Sequence, residues 1–129
     1  MCDAKQTVVV VDDNATVRAL FERSTENLAL NLRSYGSAQE AMEYLEENKP
    51  DLLFLDIIMP EKDGLTFLSE LRKLPLHRDT AVIMITSKDY AQDRTVANEL
   101  GALEFITKPM PMQTITDIIL DYINKENPY

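Results

Sequence analysis

The chain has no tryptophan, a single cysteine, one histidine and three glycines among its 129 residues. A lone thiol, Cys2, cannot close an internal disulfide, which suits a reducing compartment. One cysteine and one histidine also leave no ligand cluster of the kind that holds zinc. With so few glycines and only six prolines, there is no flexible linker or low-complexity tract. Positive charge is scarce too: 13 Lys and Arg stand against 22 Asp and Glu, a net charge of −9. Such a field repels phosphate backbones and anionic membranes, which argues against direct nucleic-acid binding. No apolar run approaches the ~20 residues needed to cross a bilayer. The opening MCDAKQT lacks the charged, apolar and small-residue zones of a signal peptide. The expectation is a cytoplasmic protein that folds as one domain over residues 1–129.

What the sequence does contain is alternation. Thr7 to Val11, Leu52 to Leu55 and Ala81 to Ile85 are continuous apolar runs, the pattern of strands buried on both faces. Ala29 to Tyr35, where Leu30 and Leu32 alternate with polar residues, and Leu103 to Ile106 are two weaker strand candidates. Helical patterns lie between them. Val17, Leu20, Phe21 and Leu28 mark the first; "SAQE" at Ser37 to Glu40 is a capping box that opens the second, with Met42 and Leu45 inside. Leu68, Leu71 and Leu74 mark the third; Val96, Ala97 and Leu100, closed by Gly101, the fourth. Ile115, Ile118, Ile119, Tyr122 and Ile123 form a single stripe on the fifth. Five strand-helix alternations predict an α/β fold with a parallel sheet covered on both faces and right-handed crossovers.

Sheets of this kind bind ligands at the carboxyl ends of their strands. Asp12 and Asp13 end the first strand, Asp56 the third, Thr86 and Ser87 the fourth, and Thr107, Lys108 and Pro109 follow the fifth. Three carboxylates on one edge at about 5 Å spacing repel by roughly 3 kcal/mol per pair at an effective dielectric near 20. Either one keeps its proton or a cation joins them. An all-oxygen set suits Mg²⁺ or Mn²⁺, and Lys108 adds a fixed positive charge. Asp56, a charge planted inside "DLLFLDIIMP", is the candidate nucleophile for a phosphoryl group. Simpler roles exist for each residue alone: Asp12 or Asp13 as a helix cap, Thr86 and Ser87 as a turn, Lys108 as a solvated lysine. Met59, Met110 and Met112 fit gap-filling in the core or loops. His77, after "LPL" in a polar loop, is expected to be solvated.

The stretches "VVVVDDN", "DLLFLDIIMPEKDG", "AVIMITSK" and "FITKPM", in that order, make the chain resemble a response-regulator receiver domain of two-component signalling, of the CheY-like kind. The resemblance covers about residues 6–125 and implies a flavodoxin-like sheet of order 2-1-3-4-5. It implies Asp56 as phosphoacceptor, and a Mg²⁺ site of Asp12, Asp13, Asp56 and the backbone carbonyl of Ile58. Thr86 and Lys108 would bind the phosphoryl oxygens, and Phe105 would be the switch aromatic that moves as Thr86 is drawn in. The Lys108–Pro109 bond is often cis in such domains. Ile58 and Lys88, two residues after Asp56 and Thr86, would border the hydrolytic water. The implied partners are a histidine kinase or phosphotransfer protein and an unnamed output protein. That protein would meet a face of helix four, strand five and helix five, the domain being a monomer or an activation-dependent dimer. An aspartate-based phosphatase would need D-x-D after strand one, where this chain has adjacent aspartates. A flavodoxin would need a Ser/Thr-rich phosphate loop, and an inactive interaction module would not need the full acidic set.

Overall fold

A computed structural model describes residues 6–126, so Cys2 lies outside the described residues. The elements are β1 (Gln6–Val11), α1 (Ala15–Thr25), β2 (Leu30–Tyr35), α2 (Ala38–Leu45), β3 (Leu52–Asp56), α3 (Gly64–Arg72), a 3-10 turn (Pro75–His77), β4 (Val82–Thr86), α4 (Ala91–Glu99), β5 (Glu104–Thr107) and α5 (Met112–Glu126). All strand pairs are parallel, in the order β2-β1-β3-β4-β5. This is the doubly wound, CheY-like arrangement expected from the sequence.

The continuous apolar strands are explained by the period of two in a pleated chain. Val8, Val10, Leu52, Phe54, Ile83 and Ile85 face α1 and α5, joined by Phe21, Ile115, Ile119 and Ile123. Val9, Val11, Leu53, Leu55, Val82 and Met84 face the other way, onto Leu45, Phe67, Leu71 and Ala97. The ring of Phe21 meets that of Phe54 edge-on, with centroids 4.8 Å apart. Each such side chain, fully buried, stabilises the fold by about 1.5–3 kcal/mol. β2 lies at one edge and alternates half-buried with exposed residues as its sequence predicts. No helix among the described residues is long and apolar enough to cross a membrane.

Three local expectations change. α1 ends at Thr25, so Leu28 belongs to the following turn, where its amide donates to the Thr25 carbonyl at 2.9 Å. α3 ends at Arg72, and Leu74 is extended before Pro75, because the residue before a proline is pushed out of the helical region. On α4, Val96 is exposed and Ala97 carries the buried contact. Gly101 closes that helix as expected, at φ 82°.

His77 is the larger correction. It is buried, with Nε2 2.6 Å from the Leu45 carbonyl and Nδ1 2.7 Å from the Thr80 hydroxyl. A carbonyl can only accept, so Nε2–H donates to Leu45, and Nδ1 shares a hydrogen bond with the Thr80 hydroxyl. The ring thus ties the end of α2 to the turn before β4. Arg72 closes the same corner, donating from Nη1 to the His77 and Thr80 carbonyls at 2.9 and 2.8 Å and from Nε to Leu100 at 2.8 Å.

Candidate functional site

Strand register builds the site. Val11 pairs with Leu55 and Asp56 with Ile85. The residue after β1, Asp12, therefore comes level with the last residue of β3. Thr86 and Thr107 are themselves a pair at the ends of β4 and β5. Asp12, Asp13 and Asp56 each place a carboxylate oxygen so that all three lie within 4.8 Å of one another. Lys108 reaches in from the loop after β5, with Nζ 2.7 Å from Asp12 Oδ2 and 3.4 Å from Asp56 Oδ1. Its peptide bond to Pro109 is cis, and its backbone N–H donates to the Thr86 carbonyl at 2.7 Å.

Neither Asp12 nor Asp13 is the cap of α1. Asn14 caps α1, its side-chain oxygen accepting from Thr16 and Val17, while the Asn14 amide donates to Asp12 Oδ1 at 2.9 Å. Asp12 is buried and Asp13 exposed. Asp12 Oδ2 and Asp56 Oδ1 are buried and accept no aligned hydrogen bond, although the Lys108 ammonium is close. Burial first, and the charge of Asp12 second, push the Asp56 carboxyl up to about 7; Lys108 pulls the other way, and Asp13 adds a smaller push upward. Two buried oxygens lacking hydrogen bonds, in a set of three carboxylates, fit a hard divalent cation such as Mg²⁺ or Mn²⁺.

Thr86 is fully buried. Its hydroxyl donates to the Lys88 carbonyl and accepts from the Lys88 amide, both at 3.1 Å. Ser87 is exposed. Phe105 is half-buried against the core, and the Arg94 guanidinium lies 4.5 Å from its ring centroid. Ile58, two residues after Asp56, is 48% exposed, whereas Met59 and Met110 are buried as the filler their type suggested and Met112 is exposed.

Two positioning residues went unrecognised in the sequence. Gly64 opens α3 against the end of β3: its amide donates to the Ile57 carbonyl at 2.7 Å, and a Cβ there would stand 2.1 Å from the Asp56 carbonyl oxygen. Only a residue without Cβ permits that approach. Its one sequence signal is a glycine directly after the cap residue Asp63. Arg18 donates from Nη1 to the Asp12 carbonyl at 2.7 Å, which fixes the bend that turns Asp12 inward; nothing in local spacing announces it.

Residues 8–120 match the family model of the response regulator receiver domain. The chain is 37% identical over 110 residues to the cyclic di-GMP phosphodiesterase response regulator RpfG of Xanthomonas campestris, covering 84% of this chain and 29% of that protein. It is 33% identical over 121 residues to the sensor histidine kinase CheAY of Helicobacter pylori, covering 92% of this chain and 15% of that one. The chain therefore spans less than a third of the length of these relatives. Among solved structures, a CheY-like receiver domain protein from Methanospirillum hungatei superposes with a TM-score of 0.87 at 19% identity, covering 97% of this chain and 98% of that one. That likeness speaks for the fold.

Proposed function

The chain belongs to the response regulator receiver domain family, and from that premise we propose that Asp56 is the phosphoacceptor of a signalling switch spanning residues 1–129, with its core at about 6–125. Phosphoacceptor signalling is the business of the family; the residues, the metal and the partners are our reading for this chain. The observation that carries it is the convergence of Asp12, Asp13 and Asp56 within 4.8 Å, with the Lys108 ammonium beside them.

The carboxylates of Asp12, Asp13 and Asp56, with the carbonyl oxygen of Ile58, would hold Mg²⁺ or Mn²⁺. Bound there, the ion supplies positive charge against the oxygens of the phosphoryl group. Asp56 Oδ attacks phosphorus in line, the O–P bond forming as the P–N bond of a phosphohistidine donor breaks and the electron pair leaves with the imidazole. The donor is a histidine kinase or a phosphotransfer protein. Lys108 lies close enough to turn its ammonium onto the new oxygens, and Thr86 exchanges its bond to Lys88 for one to the phosphoryl group. Water later cleaves the acyl phosphate, so that the domain catalyses its own modification and its reversal without turning over a free substrate.

The added charge biases Thr86 and Phe105, and with them the face formed by α4, β5 and α5. Tyr90, Val96 and Leu103 are exposed apolar residues on or beside α4 and β5, which suits that face to an output protein. We place the domain in the cytoplasm, as a monomer or an activation-dependent dimer, with no direct contact to nucleic acid or membrane. The test is incubation with acetyl phosphate and Mg²⁺. The wild type takes up phosphate and Asp56→Asn does not; persistent incorporation in the variant defeats the assignment.

A further inference from the structure

Thr86 has one hydroxyl proton, and it is already donated. It goes to the Lys88 carbonyl, while the Lys88 amide donates back to the same oxygen. Donation to a phosphoryl group at Asp56 therefore requires release of Lys88. The next residue, Asp89, holds Arg94 by both arms of the guanidinium fork: Nε to Oδ1 at 2.6 Å and Nη2 to Oδ2 at 2.9 Å. That fork is the group lying 4.5 Å from the centroid of the Phe105 ring. Phe105 in turn sits level with Met84 on β4, two residues before Thr86.

The geometry points to a latch: Asp89 clamps Arg94 onto Phe105 and so holds the 86–89 segment and the ring together in the resting arrangement, until Thr86 lets go of Lys88. This rests on the reading that Thr86 turns to a phosphoryl group on Asp56. Neither Asp89 nor Arg94 would touch that group; both are positioning residues. Their side chains are 43% and 47% exposed, and exposed ion pairs are weak even when bidentate. A weak latch is what a reversible switch requires, because a stronger one would resist the phosphoryl group. The guanidinium also holds the Asp89 carboxyl below its ordinary range, so the pair stays charged near neutrality.

The test combines two readouts on the whole chain. In the unphosphorylated protein, the ring resonances of Phe105 are followed by NMR in Arg94→Ala and in Asp89→Asn. Both are expected to shift, the second although Arg94 is still present. The rate of self-phosphorylation from acetyl phosphate is then expected to rise roughly two- to fivefold in each, the range an exposed ion pair is worth. The double variant should be no faster than the faster single one. Arg94→Lys, which keeps the charge and loses the fork, should behave like Arg94→Ala, and Thr95→Ala, on the same helix, like the wild type. Unmoved ring resonances in Asp89→Asn, unchanged rates, multiplicative effects in the double variant, a wild-type rate in Arg94→Lys, or equal acceleration by Thr95→Ala overturns the latch. A wild-type protein that takes up no phosphate would instead sink the function proposed above, and the latch would still be decided by the ring resonances.

Discussion

Lys108 is the closer partner of Asp12, not of Asp56: its ammonium lies 2.7 Å from Asp12 Oδ2 and 3.4 Å from Asp56 Oδ1. The difference decides which carboxylate is left exposed to repulsion. Asp12 has the ammonium and the Asn14 amide, while Asp56 remains buried beside a negative neighbour and its carboxyl is pushed up to about 7. Asp56, the proposed acceptor, is thus the group whose charge the site opposes, and it gains most from a cation or a phosphoryl group that recruits Lys108.

The first consequence concerns stability without metal. Asp56 binds its proton more tightly folded, at about 7, than unfolded, near 3.8. Its contribution to stability is therefore fully present below the unfolded value and is lost as the pH rises through about 7. Asp56→Asn removes the charge while keeping the shape. In chelator, urea unfolding should find the variant more stable than the wild type near about pH 8, with the gap closing as the pH falls toward about 4. Added Mg²⁺ should narrow the gap at high pH. A gap independent of pH contradicts the account.

Gly64→Ala should be costly in a helix start where alanine is otherwise favoured. Its Cβ would meet the Asp56 carbonyl oxygen at 2.1 Å, and backbone cannot step aside as a flexible side chain can. Overpacking of this kind costs about 1–3 kcal/mol. Because the strain falls on Asp56 itself, phosphate uptake should drop as well. Unfolding midpoints and acetyl-phosphate labelling check both halves.

Much of this molecule was readable before its structure. The buried strands announced themselves because Val8 to Val11, Leu52 to Leu55 and Val82 to Ile85 are apolar on both faces, and a sheet residue cannot be so unless both faces are covered. Asp12, Asp13, Asp56 and Lys108 were legible as a group because each stands where a strand stops, and parallel register brings those ends together. His77 was misread for the opposite reason. One of its partners, the Leu45 carbonyl, lies 32 residues earlier. The other, the Thr80 hydroxyl, stands in a polar stretch like any turn residue, so the local sequence does not distinguish His77 from a solvated histidine. Arg18 and Arg72 escaped likewise, since they serve carbonyls rather than carboxylates, and carbonyls leave no trace in composition.

His77→Leu tests that corner independently of the chemistry. It fills similar space but leaves the Leu45 carbonyl and the Thr80 hydroxyl without the ring. Two buried polar groups unpaired cost about 2–6 kcal/mol together. The urea midpoint should fall accordingly, while the rate of labelling by acetyl phosphate in native buffer stays near wild type.

Ile58 bears on the lifetime of the modified state. It stands 48% exposed two residues after Asp56, the proposed acceptor, and offers no side-chain hydrogen bond to orient an attacking water. Ile58→Asn supplies one, and the phosphorylated variant should decay several-fold faster than the wild type, followed by loss of label after removal of the donor. In the wild type the lifetime is then left to shielding and to Lys88; equal or slower decay of the variant would contradict this reading of position 58.

The central claim is that the phosphoryl group is carried by Asp56 and by neither of its acidic neighbours. Sodium borohydride reduces an acyl phosphate of aspartate to homoserine, which mass spectrometry of the digested chain locates. After phosphorylation with acetyl phosphate and Mg²⁺, we predict homoserine at position 56. Homoserine at Asp12 or Asp13, or none anywhere in a protein shown to carry label, would contradict the account.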